Sequence, residues 1–144
     1  MRKKLTALIL LFTIISATYI WGQCRQFTEE KVVPEVGDYI LTGRYQSFKL
    51  SAGDQILIFK TLNRNIKYKF IVQGDEQLPP QVHFVIKDWN DKIIFDNSKD
   101  NYSHVFEYLS DKPQRIKIYI SVPKISDDAA TGCVALVIGM KKVE

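Results

Sequence analysis

Chemistry has few places to start in this 144-residue chain. Its cysteines are Cys24 and Cys133, and its histidines are His83 and His104. Two lone cysteines so far apart do not form a zinc site unless histidines complete it. In an oxidising compartment they join most simply as one disulfide that closes nearly the whole exported chain. For a loop of about 100 residues, the chain-entropy account allows such a bridge up to about 4.7 kcal/mol. The other use of Cys24 is as a lipid anchor. However, Trp21-Gly22-Gln23 places a glutamine where a lipobox wants a small residue, and acylation would strand Cys133.

The histidines offer little for catalysis. His104 alternates with Phe106 and Tyr108, which reads as a packed or rim imidazole, and His83 alternates with Lys87, which reads as a solvated one. No serine sits in a Gly-x-Ser-x-Gly elbow. Carboxylates cluster at Asp88/Asp91 and at Asp96/Asp100. The run Asp96-Asn97-Ser98-Lys99-Asp100-Asn101 has the hard oxygens that calcium prefers. Its spacing matches no calcium loop, it lacks the turn glycine, and Lys99 intrudes, so Asx turn capping explains it better. The sequence therefore predicts no metal site and no cofactor.

Aromatic rings are the remaining handle. Tyr39, Tyr45, Trp89, Tyr102 and Tyr119 fall in turns or on outward positions. Rings so placed either cap the ends of a fold or stack on sugars and anchor protein partners. Trp89, Tyr102 and Tyr45 are the candidates for touching a ligand. Lys60, Lys67, Lys69, Arg115 and Lys117 line up either as a basic sheet face or as solvated charge that discourages edge pairing.

The elements that must position these residues begin after a leader. Met1-Arg2-Lys3-Lys4 followed by the apolar run from Leu5 predicts a signal peptide over residues 1–22, cleaved after Ala17 or Gly22. The alternative is a retained membrane anchor, for which the apolar run is short. The leader removes Arg2, Lys3 and Lys4 from the 20 basic residues, leaving 17 against 16 acidic ones. That near-neutral balance gives no electrostatic reason for a nucleic-acid or anionic-membrane partner. Contact with a membrane would then require a retained leader or a lipid on Cys24. Residues 23–144 suit a single domain.

Within that domain the period is two, not 3.6. Residues 24–37 read as an extended arm or irregular segment. Tyr45 to Leu50 alternates, and Ser51-Ala52-Gly53-Asp54 supplies turn chemistry. Gln55 to Lys60 reads as a strand covered on both faces, and Ile66 to Val72 as a half-buried one. Val82, Phe84 and Ile86 alternate, and Trp89-Asn90-Asp91-Lys92 turns the chain into Ile93-Ile94-Phe95. Ile116 to Val122 is the clearest alternation. Gly132 to Met140 is apolar at odd and even positions alike, so it must be covered on both faces. This pattern predicts an all-β, antiparallel β-sandwich of about seven to eight strands.

The order Phe48 to Asp54, Tyr68 to Val72, Val82 to Asp88, Ile116 to Val122 and Gly132 to Gly139 resembles small jelly-roll sandwiches of the bacterial pre-peptidase C-terminal type. More closely, Cys24 to Lys142 is similar to a group of small exported Bacteroidota proteins of unassigned function. These share a cysteine near the mature N-terminus and an SGCV-like final strand, where this chain has Thr131-Gly132-Cys133-Val134. The resemblance implies a jelly-roll fold and export, and it brings no catalytic motif. The expected function is a non-enzymatic binding or accessory module, periplasmic or extracellular, whose partner is a glycan or another envelope protein. The alternatives are a small secreted hydrolase with a spatially assembled site, or a surface lipoprotein anchored at Cys24.

Overall fold

A computed structural model describes residues 22–125 and 129–143. The leader expected over residues 1–22 thus lies, up to position 21, outside the described residues. The strands are β1 (Ile40–Leu41), β2 (Gln46–Ser51), β3 (Gln55–Leu62), β4 (Ile66–Gly74), β5 (His83–Asp88), β6 (Ile93–Asp96), β7 (Val105–Ser110), β8 (Gln114–Ser121) and β9 (Thr131–Lys142). Among the described residues they number nine, one above expectation, because the two-residue β1 has no alternating pattern to read.

One sheet, called A, runs β1-β9-β4-β7, with β2 also on β9; the other, B, runs β3-β8-β5-β6. All pairings are antiparallel, and β2–β9, β3–β8, β4–β7 and β5–β6 nest inside one another. The chain is in effect one long hairpin, tipped at residues 89–92 and rolled so that successive pairs alternate between sheets. That is a jelly roll, a β-sandwich built as the alternation predicted.

Side chains alternate across each strand, so one set meets between the sheets. Ile116, Ile118, Ile120, Phe84 and Ile86 of sheet B face Tyr68, Phe70, Val72, Val134 and Leu136 of sheet A, all buried. Phe95 of β6 and Phe106 of β7 stack at 4.0 Å between ring centres, joining the two layers. Asn97, fully buried, stitches the β6–β7 loop to β5. Its Oδ1 accepts from the Phe84 amide at 2.9 Å, and its Nδ2 donates to the Val82 carbonyl at 2.9 Å.

The segment expected to be irregular is instead helical. Residues 22–27 are α-helical, Thr28–Val32 form a π turn and Val33–Val36 a 3₁₀ turn. Cys24, Thr28, Val32 and Val36 are its buried residues, at a constant step of four. In a regular α-helix, a step of four drifts by about 40° each time. The wider π turn takes up drift and keeps the buried residues on one stripe. That stripe packs on Ile71, Ala135 and Val137, the outward side chains of sheet A. Cys24 is bonded to Cys133 of β9 across 109 residues, as the cysteine count predicted. A sulfur in that bond cannot also carry a lipid thioether.

This helical cover explains two further results. β9 is buried on both faces, as its composition demanded. β4, expected to be half-buried, has Ile71 sealed on its outer face. The close approach needs Gly139, where an added Cβ would lie 2.7 Å from Cβ of Tyr39. β3 departs the other way. It was expected to be covered on both faces, yet it is an edge strand whose burial alternates, with one face open.

Candidate functional site

The open face of sheet B is where the chain shows its most distinctive chemistry. Leu57 and Phe59 point outward from β3 and are 43% and 47% exposed; Trp89, in the β5–β6 turn, is 54% exposed. Register fixes their neighbours. Phe59 lies opposite Lys117, Leu57 opposite Tyr119, and Lys117 opposite Lys87. Two lysines facing each other repel. Here Lys117 donates to Asp91 at 2.8 Å, and the Lys87 ammonium sits 4.9 Å from the Tyr119 ring centre. The ion pair moves both partners in the expected directions: hydrogen bonding lowers the pKa of Asp91 and raises that of Lys117.

The tip of the long hairpin is folded back onto this face. The Asp88 carboxylate accepts from the amides of Asn90 at 2.8 Å and Lys92 at 2.9 Å, and Asp91 takes the positive φ of 65°. Ile86 pairs with Phe95 and Lys87 with Ile93, so Ile94 is an extra residue that bends β6 just after the turn. Trp89 is thereby brought to 6.2 Å from Phe59, between ring centres. The Arg115 guanidinium lies 5.0 Å from each of these ring centres, and Lys117 lies 5.3 Å from that of Trp89. Cations over aromatic faces attract by about 0.5–1 kcal/mol at exposed sites, so the group is held in place without being buried.

The structure separates the three aromatic candidates. Trp89 belongs to this face. Tyr102 lies near the sandwich rim, edge-on to His83 at 6.3 Å. Tyr45 packs among the side chains beneath the N-terminal helix, and its hydroxyl donates to Glu29. That hydrogen bond is the main reason Glu29 has a lowered pKa. The basic residues divide likewise. Arg115 and Lys117 line the open face, Lys67 and Lys69 lie on β4 in the other sheet, and Lys60 points inward to the Thr42 hydroxyl at 3.1 Å. Burial lowers the Lys60 pKa, and a charge pointing inward on an edge strand opposes edge-to-edge pairing. Sequence reasoning missed Leu57 and Phe59 because their apolar run reads as core.

Among the described residues, neither histidine is hydrogen-bonded to a nucleophile; each meets a carboxylate. His83 Nε2 is 2.9 Å from Asp96 Oδ1, and Ser98 Oγ donates to that same oxygen at 2.7 Å. Serine and imidazole therefore converge on a carboxylate, whereas nucleophile activation needs the imidazole in the middle. Burial, the largest influence, raises the Asp96 pKa, but hydrogen bonds from Ser98 and His83 outweigh it and the net shift is downward. Asp96 also accepts from the Ser98 amide, which is the turn capping expected of this stretch. His104 pairs with Glu35 at 2.7 Å beside a groove of about 500 Å³ under the 73–80 loop. Of the described residues lining that groove, only Tyr102 carries a hydroxyl.

No family model matches the chain, and comparison with curated proteins finds no significant match. Among solved structures it is similar to PliG of Aeromonas hydrophila, a periplasmic lysozyme inhibitor of g-type lysozyme. The TM-score is 0.53 at 9% identity, covering 72% of this chain and 89% of that chain. At that identity the likeness is one of fold.

Proposed function

We propose that this protein is an exported, non-enzymatic binding module that captures a protein partner on the open face of sheet B. The observation that carries the reading is the exposed array Phe59–Arg115–Trp89, in which two rings and a cation share one site on an open sheet face. Aromatic and arginine side chains dominate binding energy at protein interfaces. A protein suits this face better than a sugar chain, because the cations already lie over the Trp89 ring on which a sugar would stack. The positively charged leader and the Cys24–Cys133 bridge support export. So does the resemblance to small exported Bacteroidota proteins.

The similarity to PliG makes g-type lysozyme the first partner to try. Cell-wall lysis by g-type lysozyme should slow in the presence of the protein. The double variant Phe59→Ala/Trp89→Ala should lose at least about tenfold in potency, an ordinary sum for two interface anchors. Undiminished lysis would remove lysozyme as the partner. A photo-crosslinker at position 57 should give discrete protein adducts in the producing cell, with none from a crosslinker at Lys49 on the far sheet. Failure to see that difference would sink the protein-capture reading.

A further inference from the structure

Arg115 differs from its neighbours in how it is held. Lys117 is engaged by Asp91, and Lys87 lies over Tyr119. Among the described residues, no carboxylate lies within ion-pair distance of the Arg115 guanidinium and no side chain or carbonyl accepts a hydrogen bond from it. Its position comes from Phe59 and Trp89, whose ring centres are both 5.0 Å from it. Ring faces contact the flat of a guanidinium and leave its N–H edge free. The result is a fork of donors with no acceptor among the described residues, already placed on an exposed surface.

Resting on the reading that this face docks a protein, we infer that Arg115 is a preorganised receptor for a side-chain carboxylate of the partner. The partner surface is then an Asp or Glu ringed by apolar groups that cover Leu57 and Phe59. Three features support this. Guanidinium and carboxylate match in a two-bond geometry that a lysine cannot reproduce. The aromatic clamp lowers the entropy lost when the fork engages. The charge around the site also stays positive on balance, since Arg115, Lys117 and Lys87 outnumber the two nearby acids, Asp88 and Asp91. A second copy of this chain fits poorly, because like faces would bring cations together. An acidic polysaccharide offers the same carboxylate but not the apolar surround.

The test uses the whole protein and two carboxylate polymers, poly-L-glutamate and polygalacturonate. The readouts are the Nε–Hε resonance of Arg115 in ¹H–¹⁵N spectra, assigned by its absence in Arg115→Lys, and the indole Nε1–H resonance of Trp89, which is present in the parent and every variant and gives the affinities. Poly-L-glutamate should shift it saturably. Affinity should fall about tenfold in Arg115→Gln and also in Arg115→Lys, and less than about threefold in the charge-matched Lys117→Gln, because a two-bond carboxylate contact exceeds a screened point charge. Equal losses in Arg115→Gln and Lys117→Gln would overturn the receptor and leave general electrostatics. Full retention in Arg115→Lys would overturn the fork. Tighter binding of polygalacturonate would overturn a protein carboxylate in favour of an acidic glycan. The crosslink from position 57 separates this inference from the reading beneath it. Adducts that persist in Arg115→Gln leave the docking face standing without the carboxylate anchor, whereas adducts absent from the parent remove the face itself.

Discussion

The two sheets of this protein both turn apolar side chains outward, and they treat them oppositely. On sheet A, Ile71, Ala135 and Val137 are sealed by a short helix carrying Val32 and Val36, tied down by Cys24–Cys133. On sheet B, Leu57, Phe59 and Ile93 stay open, with Arg115 and Lys117 drawn over nearby rings. The helix buries too few residues to hold itself in place by packing alone, since short isolated helices are marginal in water. A covalent tie keeps it near its site and makes a weak contact sufficient. The open face has no such lid. Cations over its rings keep it compatible with water while leaving the apolar surface available.

Removing the tie should have the largest effect. Cys24→Ser with Cys133→Ser should lose about 4 kcal/mol in denaturant unfolding. A loss below about 1 kcal/mol would mean that packing alone holds the cover. Next comes the ground under the helix. Ile71→Ala, at a fully buried position, should cost about 3 kcal/mol. A much smaller loss would place sheet A's outer face closer to sheet B's than the structure does. On the open side, the contribution of Asp96 should disappear in acid. Its pKa is lowered, so its contribution is complete above the ordinary carboxyl value of 3.8 and is lost as pH falls through the lower folded value. Asp96→Asn should remove about 1 kcal/mol at neutral pH and flatten the acid limb of the stability curve. An unchanged acid limb would show that Asp96 does not govern it. The smallest effect belongs to the open strand, where Leu57→Ser with Phe59→Ser should shift stability by less than about 0.5 kcal/mol. A large loss there would mean the face is structural.

How much of this was legible in the residues depends on whether the deciding contact was local. Ile116 to Val122 alternates because one side always meets the opposite sheet, so its strand was plain. Gly132 to Met140 announced two covers without naming the second. The helix was hidden because Cys24, Thr28, Val32 and Val36 keep a step that no single regular helix satisfies, and a threonine interrupts the apolar stripe. β3 misled for the reverse reason. Ile56-Leu57-Ile58-Phe59 has the composition of a doubly buried strand, and only the sheet order reveals that it is an edge with nothing outside it. Trp89 was readable as an exposed ring. Its company with Phe59 and Arg115 depends on a hairpin tip folding back across two strands, which no local pattern carries.

The nested pairing also dictates when the molecule can exist. β9 sits at the centre of sheet A, bonded to β1, β2 and β4, yet it is the last of the nine strands to be synthesised. Until residues 131–142 emerge, β2 and β4 have no common neighbour, and the helix has nothing to rest on. Pairings this distant in sequence form slowly, and waiting edges invite aggregation. The chain therefore has to be shielded until its synthesis ends, and a stop codon before residue 131 would remove the centre of a whole layer, not merely shorten a tail.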